Sequence, residues 1–463
     1  MLWLSVVPAF ITIVMTCVTK KLVPALFSGI VVGVLLSTGS LSGITTISRY
    51  VIEVLADEGS AYALSFLVLY SALSELISMA GGIAGFSNKM EGKIKSERGV
   101  LGWSWGLSIP TFFNSSFHFI AVGTVMSHFL DKVKASKEKF AFILSVTSLQ
   151  LILLIPVGSA NIGYMVSLVA SNFGNGVTES AYEIVVRSIA WNFFTWVMIL
   201  LALGVTFFSL GFGKVRLGKT KDDELTQGHI QKERGKDEQI EEYPAKAMNL
   251  IIPVAILILG TLFLFWWTGK DKSPSFWGAF SKADFNVSIF TGVLAALLFT
   301  TVFYLFQKIS LAEIQAHILK GGSKNFSLVI ILLLSWVLTR VTQDLGFNDL
   351  VDQESITNIP KIFVPAILFL ISAVISYTIG SSWATWSLMM PLAAAFATGT
   401  GMDLAVMAGT VWAGGAVADV VSPIAAEMAG ISYGKHFVTA MPYTVAGVVV
   451  SAVGYIVTGF LYR

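Results

Sequence analysis

Charged residues are scarce in this chain of 463 residues: Asp, Glu, Lys and Arg together make up 13% of the sequence. Soluble domains carry about 25% charged residues, so the composition excludes an ordinary water-soluble enzyme, a nucleic-acid-binding protein and a disordered chain. Cysteine is almost absent as well. The single Cys17 excludes a disulfide framework and a cysteine-based metal site. The formal net charge of +2 gives no indication of a polyanionic partner.

Hydrophobic residues make up 55% of the chain and are gathered into long, nearly continuous runs. A membrane-spanning helix needs about 20 mostly apolar residues, whereas strands of an outer-membrane barrel alternate in polarity over about 10 residues. The runs therefore predict an all-α polytopic membrane protein. The first run has no basic segment before it and no cleavage site after it, so we interpret it as a retained span. The ten candidate spans are 2–18, 22–40, 61–80, 140–156, 188–211, 248–268, 286–306, 326–343, 403–421 and 440–460.

Two further apolar stretches, 100–130 and 362–399, are interrupted by small and polar residues near their middles. Lysines lie on both sides of 100–130, and cytoplasmic loops are rich in Lys and Arg, so both of its ends are predicted to be cytoplasmic. A re-entrant hairpin satisfies that condition. The flanks of 362–399 carry almost no Lys or Arg, which predicts a hairpin that enters from outside. Tracing the chain on this basis places both termini outside the cell.

The sequence also contains a weak internal repeat. Ser71 aligns with Ser335, Ser115–Ser116 with Ser381–Ser382, and Pro156 with Pro423, in the same order and at a nearly constant offset along the chain. We expect a first repeat over 1–213, a cytoplasmic hydrophilic linker over 214–247 and a second repeat over 248–463. Each repeat would hold five spans and one hairpin, and an odd number of crossings gives the two repeats opposite orientations. Inverted repeats with interrupted helices are typical of secondary transporters; a channel or an assembly scaffold is the alternative.

Small hydroxyl and amide residues gather at four interruptions of the apolar runs. Broken helices free backbone carbonyl groups at depth, and uncharged oxygen ligands suit a hard monovalent cation such as Na+. We expect one cage in each half, although helix packing is the alternative role for any single small residue. The first cage would use Asn114, Ser115, Ser116, Ser159 and Asn161, and the second would use Thr378, Gly380, Ser381, Ser382, Asp419, Ser422 and Pro423.

Ionisable residues inside an apolar run are costly in lipid and are candidate functional residues. Asp419 is the strongest, because a carboxylate beside a Ser–Pro break could both bind Na+ and release a proton. Glu75 could be a second proton carrier or the partner of Arg340, which could instead extend to the membrane surface. His118 could titrate near neutral pH or be a hydrogen-bonded core residue. The remaining candidate is Glu427, and His128 and His436 are expected at the membrane interface.

Residues 378–430 resemble the C-terminal signature of the NhaC-type Na+/H+ antiporters, which belong to a wider ion-transporter superfamily. Gly380–Trp383 match the hairpin tip of that signature, Asp419 matches its aspartate, and Ser422–Pro423 match its Ser-Pro. The family usually continues with Ser-Asp-Thr-Thr, whereas this chain has Ala-Ala-Glu-Met at 425–428, so two oxygen ligands are missing. The resemblance implies Na+ and H+ as transported ions, no cofactor, a bacterial-type inner-membrane location and a homodimer.

The leading hypothesis is a Na+/H+ antiporter that works by alternating access, with Asp419, Ser422, Ser381, Ser382, Asn114 and Ser116 as candidate Na+ ligands. The alternative is a Na+- or H+-coupled carrier of a small carboxylate or amino acid, in which Asn114, His118 or Arg340 would bind the solute. A third hypothesis is the membrane subunit of an enzyme such as a sodium-pumping decarboxylase. Nothing in the sequence binds a nucleotide or biotin, so we expect no enzymatic activity of the chain itself.

Overall fold

The protein is described by a computed structural model whose ordered elements are all helical. It describes residues 4–5, 7–19, 21–40, 43–82, 85, 94–112, 114–157, 159–173, 179–208, 211, 246–273, 275–324, 326–346 and 360–461, and these ranges contain no β-strand. The predicted linker, apart from its last two residues, lies outside the described residues. So do the side chains of Ser116 and His128.

The described residues of the first half of the chain include ten α-helices. Between α7 and α8 the chain continues as a π-helical stretch, Val146–Gln150, and a 3-10 turn, Ile152–Leu154. The helices are α1 (Val7–Thr19), α2 (Leu22–Thr38), α3 (Ile44–Ala56), α4 (Glu58–Met79), α5 (Glu97–Thr111), α6 (Ser115–Lys132), α7 (Lys137–Ser145), α8 (Ala160–Phe173), α9 (Ala181–Ser188) and α10 (Phe193–Phe208).

Ten more α-helices lie in the described residues of the second half, with a 3-10 turn, Ala418–Val421, between α18 and α19. They are α11 (Met248–Gly269), α12 (Phe276–Ser281), α13 (Phe285–Phe306), α14 (Leu311–Lys324), α15 (Phe326–Asp344), α16 (Val364–Ile379), α17 (Ser382–Thr400), α18 (Leu404–Gly415), α19 (Pro423–Ala429) and α20 (Tyr433–Leu461).

The helix starts of the two halves follow one spacing. Helix α3 begins at residue 44 and α14 at 311, α5 at 97 and α16 at 364, α6 at 115 and α17 at 382, and α7 at 137 and α18 at 404. In all four pairs the start of the second helix follows the start of the first by the same distance along the chain. The two stretches predicted as hairpins are both pairs of packed helices, α5 with α6 and α16 with α17.

Within the described residues, seven helical segments are long and apolar enough to cross a membrane. Helices α9 and α10, bent by 49°, form an eighth if they make one span. Nine of the ten predicted spans fall mainly on an α-helix, but α1 and α2 are shorter than a full crossing. The tenth, 140–156, falls on the last part of α7, the π-helical stretch and the 3-10 turn. The chain is therefore a polytopic helical membrane protein, and the count of ten spans stays a prediction.

Several helices lie outside the predicted spans, and two of them, α3 and α14, have too few apolar residues for a span. Each packs against a long helix of the other half: α14 lies along α4, and α3 lies along α15. At Gly321 of α14 the two backbones are so close that a Cβ atom would stand 2.7 Å from the carbonyl oxygen of Ser71. These two crossed contacts join the halves of the molecule.

We predict that Gly321→Ala destabilises the protein, although alanine is the better helix former by about 1 kcal/mol. The added methyl group would overlap the α4 backbone, and overpacking of this kind costs about 1–3 kcal/mol. Thermal unfolding of the purified protein in detergent measures the effect. The neighbouring Gly322→Ala is the control, since a Cβ there comes no closer than 3.3 Å to the Val68 side chain and 3.9 Å to the Val68 carbonyl oxygen. Equal melting temperatures for the two variants would contradict the close contact.

Candidate functional site

Helix α18 ends inside the protein. Its residues from Ala405 to Gly415 are all buried, and it packs against both arms of the second hairpin, α16 and α17. After Gly415 the chain makes the 3-10 turn, Ser422 adopts an extended conformation, and Pro423 starts α19. A helix that ends in an apolar interior leaves carbonyl groups without helical donors. The break therefore needs donors from elsewhere.

Side chains from different parts of the fold donate to carbonyl groups at the break, one of which, that of Trp412, also accepts from the Ala416 N–H. The Trp386 indole donates to the Trp412 carbonyl at 3.2 Å, the Ser376 hydroxyl to the Gly415 carbonyl at 2.5 Å, and the Gln150 amide to the Ala416 carbonyl at 2.9 Å. The Ser376 hydroxyl also accepts a hydrogen bond from the Ala418 N–H at 3.2 Å. The two hairpin arms and the first half of the chain thus hold the broken helix in place.

Asp419 lies within this stabilised break. The hydroxyl group of Ser382, the first residue of α17, lies next to its carboxylate. Its Oδ2 atom is buried and accepts no hydrogen bond from any residue in the described ranges. A buried polar atom without a partner is costly, so this oxygen is chemically free to take a proton or a cation. Of the predicted second cage, the structure brings Ser382 to Asp419.

The other residues of the second tip serve the ends of their own helices. Gly380 ends α16 with a φ of +72°, a left-handed conformation that favours glycine. The Ser381 hydroxyl accepts a hydrogen bond from the Ala384 N–H and caps α17, while the Thr378 hydroxyl donates to the Val374 carbonyl. Ser422 is buried, and its side chain does not cap α19.

The first hairpin tip is organised around His118. This buried imidazole is hydrogen-bonded to the Thr111 hydroxyl at 2.8 Å and to the Thr147 hydroxyl at 3.0 Å, so it joins both hairpin arms to the π-helical stretch. The Asn114 side-chain oxygen accepts from the Phe117 N–H and caps α6, and Ser115 is half-buried beside it. His118 is therefore the hydrogen-bonded core residue that the sequence analysis gave as an alternative.

Asn161 has an unpaired side chain. Both of its polar side-chain atoms are buried and have no hydrogen-bond partner among the described residues, while Ser159 caps α8 through the Ile162 N–H. The predicted first cage stays a prediction. One turn later, the Tyr164 hydroxyl is hydrogen-bonded to the Trp383 carbonyl at 2.9 Å and to the Ser387 hydroxyl. The two interruptions of the chain, the one before α8 and the one after α18, therefore both lie against the first two turns of α17.

Glu75 is paired with α14 and not with Arg340. Its side chain, 5% exposed, contacts the Lys320 ammonium at 3.0 Å, the Lys324 ammonium and the His317 Nδ1 atom at 3.2 Å. Arg340 is exposed on α15. The proposed pairing with Arg340 is wrong because the cations that reach Glu75 come from a helix that the sequence analysis did not recognise.

One further expectation is corrected by burial. His436 is fully buried, with its Nε2 atom 3.3 Å from the Ser145 hydroxyl, because the start of α20 packs against α7. Its predicted interfacial position is therefore wrong. The candidate Glu427 is exposed on α19, whereas Asp419 is half-buried and its Oδ2 atom is buried, so the two carboxylates have different environments.

The sequence analysis overlooked Gln150, the residue through which the two halves meet at the break. The only signal was a lone amide within an apolar run before Pro156. Its side-chain oxygen accepts from the Thr195 hydroxyl at 2.7 Å, while its amide reaches the Ala416 carbonyl.

We predict that Gln150→Leu lowers the free energy of unfolding by about 1–3 kcal/mol, because it leaves the buried Ala416 carbonyl and Thr195 hydroxyl without these hydrogen-bond partners. Thermal unfolding in detergent measures the loss. Gln343→Leu at the end of α15, where the side chain is half-buried, is the matched control. If the two variants unfold at the same temperature, Gln150 does not stabilise the break.

Comparison with known proteins agrees with this architecture. A protein of Haemophilus influenzae described as uncharacterized is 25% identical over 480 residues, which covers 99% of this chain and 91% of that protein. The YdaH transporter of Alcanivorax borkumensis has a similar fold, with a TM-score of 0.54 and 10% identity over 90% of this chain and 89% of that one. MtrF of Neisseria gonorrhoeae gives a TM-score of 0.55 and 14% identity over 91% of this chain and 85% of that one.

At these identities the two structures show a common fold and nothing finer. The family model of the Na+/H+ antiporter family, however, matches residues 151–460, which contain Asn161, the second hairpin and the Asp419 break. This match covers more than half of the chain and agrees with the resemblance of residues 378–430 to NhaC-type antiporters. The chain therefore belongs to the Na+/H+ antiporter family and is a multi-pass membrane transporter.

Proposed function

We propose that this protein exchanges Na+ for H+ by alternating access, with the Asp419 carboxylate as the site at which the two ions compete. The observation that carries the proposal is the buried Oδ2 atom, which has no hydrogen-bond donor among the described residues. A buried carboxylate oxygen without a donor gains a partner when it binds either Na+ or a proton. Because a cation ligand must be deprotonated, binding of Na+ excludes the proton.

The groups around Asp419 are hydroxyl oxygen atoms rather than positively charged side chains. The Ser382 hydroxyl is already in contact with the carboxylate, and Ser422 and Ser381 lie at the ends of the two neighbouring helices. Oxygen ligands of this kind suit a hard cation. On this proposal Ser382 and Ser422 complete the Na+ site, while Ser381, Gly380 and Thr378 shape the tip. The tip around Asn114, Ser115 and Ser116 is the equivalent element of the first half.

We further propose that the fold is built from two inverted repeats, 1–213 and 248–463, joined by the linker 214–247. The constant spacing between equivalent helix starts supports this division. So do the crossed contacts, in which α14 packs on α4 and α3 packs on α15. Inverted repeats allow the same site to open to either side of a membrane. An inner-membrane location with both termini outside, and a homodimer, complete the proposal.

A coupled carrier of a small carboxylate or amino acid is the second candidate function. The buried, unpaired amide of Asn161 favours it, because that group can both donate to and accept from an organic solute. The similarity to MtrF, described as illuminating a class of antimetabolite efflux pumps, points the same way. Against it, His118 is hydrogen-bonded on both nitrogens and Arg340 is exposed, so neither is available in the core for a carboxylate.

We predict that Na+ added to everted vesicles dissipates a preformed pH gradient and that Asp419→Asn abolishes this response. The asparagine keeps the shape of the side chain but carries no exchangeable charge. A pH-sensitive dye measures the gradient. Glu427→Gln, which neutralises the exposed carboxylate of α19, is the matched control and should retain the response. A wild-type protein without Na+-dependent dissipation contradicts the exchange, and gradient-driven uptake of carboxylates or amino acids then tests the second candidate.

Ser382→Ala gives a graded test in the same vesicles. Loss of a hydrogen bond to a charged group costs about 1.5–3 kcal/mol, which corresponds to a change of roughly 10- to 100-fold in an equilibrium constant. We expect the Na+ concentration for half-maximal dissipation to change by an amount in this range. Ser372→Ala, at a buried serine of α16 that donates to the Leu368 carbonyl, is the control. If the two variants have the same half-maximal Na+ concentration, Ser382 is not part of the Na+ site.

A further inference from the structure

The turn between α18 and α19 leaves one carbonyl group without a helical donor. In a 3-10 turn each carbonyl accepts from the N–H group three residues later. For Val420 that residue is Pro423, which has no N–H. No N–H group of the described backbone donates to the Val420 carbonyl instead. Because Val420 is fully buried, bulk water is not available as a donor, and the carbonyl needs a side-chain partner.

The imidazole of His436 lies next to this carbonyl group. His436 is near the start of α20, is fully buried and lies beside the Val420 backbone. Helix α20 packs against the 3-10 turn as well as against α7. The Nδ1 atom of the imidazole has no hydrogen-bond partner in the described ranges. A buried ring nitrogen and a buried carbonyl, both without partners, therefore lie side by side.

Ser145 determines which nitrogen of the imidazole carries the proton. Its hydroxyl group lies 3.3 Å from the Nε2 atom of His436. A neutral imidazole has one donor nitrogen and one acceptor nitrogen, and a carbonyl can only accept. The nitrogen that serves the Val420 carbonyl must therefore be a protonated Nδ1, and Nε2 then accepts from the Ser145 hydroxyl. This tautomer gives a partner to every polar atom of the ring.

A second contact fixes the start of α20 on α7. The Lys435 ammonium, next to His436 in the chain, is paired with the Glu138 carboxylate at 2.9 Å, and both side chains are mostly buried. Glu138 and Ser145 lie at the two ends of α7. Helix α7 thus orients the imidazole independently of the turn that the imidazole contacts.

We propose that His436 is a positioning residue of the exchange site. Its Nδ1–H group donates to the Val420 carbonyl and so fixes the peptide group that follows Asp419. The direction of the Asp419 side chain depends on that peptide group, because both residues belong to the same turn, Ala418–Val421. His436 itself binds neither Na+ nor the exchanged proton. The inference rests on the proposed function of Asp419 and adds the residue that orients it.

Two substitutions separate the donor from the rest of the imidazole. In His436→Asn the amide takes the place of Nδ1–H and can still donate to Val420, whereas the longer side chain of His436→Gln places its amide near Nε2, beside Ser145. In everted vesicles we expect the half-maximal Na+ concentration of His436→Gln to exceed that of His436→Asn at least about fivefold, with the same maximal dissipation. Thr444→Val, at a buried threonine of α20 that donates to the Ala440 carbonyl, is the control and should match the wild type.

The tautomer of His436 can be measured without any transport assay. Solid-state nitrogen NMR of the full-length protein in nanodiscs, isotope-labelled at histidine, distinguishes the two neutral tautomers. The chain has five histidines, so the signal that disappears in His436→Asn identifies His436. We expect a protonated Nδ1 and an unprotonated Nε2. We also expect Ser145→Ala to weaken this preference, because it removes the donor to Nε2.

Either of two results would overturn the role of His436: a proton on Nε2 in the wild-type protein, or equal half-maximal Na+ concentrations in His436→Asn and His436→Gln. If a variant does not fold, the tautomer of the wild-type protein is the deciding result. Failure of the exchange function is seen separately, because wild-type vesicles then show no Na+-dependent proton movement while the tautomer of His436 is unaffected.

Discussion

The structure depends on one constraint: a helix that stops inside an apolar protein must find hydrogen-bond donors for its last carbonyl groups. At the end of α18 the Gly415 and Ala416 carbonyl groups find donors in Ser376 of α16 and Gln150 of the first half of the chain. Trp386 of α17 adds a bond to the Trp412 carbonyl, which also accepts from the Ala416 N–H. The two hairpin arms and the π-helical stretch therefore all stabilise the break. Asp419 lies beside these satisfied carbonyls with one unpaired oxygen, and that contrast distinguishes it from the other polar groups of the break.

The same constraint connects the break to the rest of the fold. Gln150 bridges Thr195 and the Ala416 carbonyl, so the π-helical stretch of one half is bonded to the broken helix of the other. The crossed contacts form a second connection between the halves. In one of them Glu75 is held by Lys320 and Lys324, and in the other Asp344 at the end of α15 accepts a hydrogen bond from Tyr50 of α3. On the proposed mechanism, a movement of one hairpin relative to these contacts changes which side of the membrane has access to Asp419.

Much of this could be predicted from the sequence, because hydrophobic runs and their interruptions report directly on the membrane. The apolar runs predicted most of the long helices, and the small polar residues at 114–116 and 380–382 predicted the hairpin tips. The lone carboxylate at 419 beside Ser422–Pro423 predicted the break. The partners of buried groups could not be predicted. Glu75 pairs with Lys320 and Lys324, which lie in the other half of the chain on a helix whose composition is that of an ordinary loop. Gln150 was overlooked for the same reason, because its role follows from a contact with Ala416, which also belongs to the other half.

The central claim is that Na+ and a proton compete for the Asp419 carboxylate, and proton release tests it most directly. Purified protein is held in a weakly buffered solution at the pH at which its exchange activity is half-maximal. It is then mixed with NaCl or with choline chloride, and the change in pH is recorded. The account predicts that Na+ releases up to one proton per binding site, that choline releases none, and that Asp419→Asn abolishes the release. Sodium binding without proton release, or release that survives in Asp419→Asn, would contradict it.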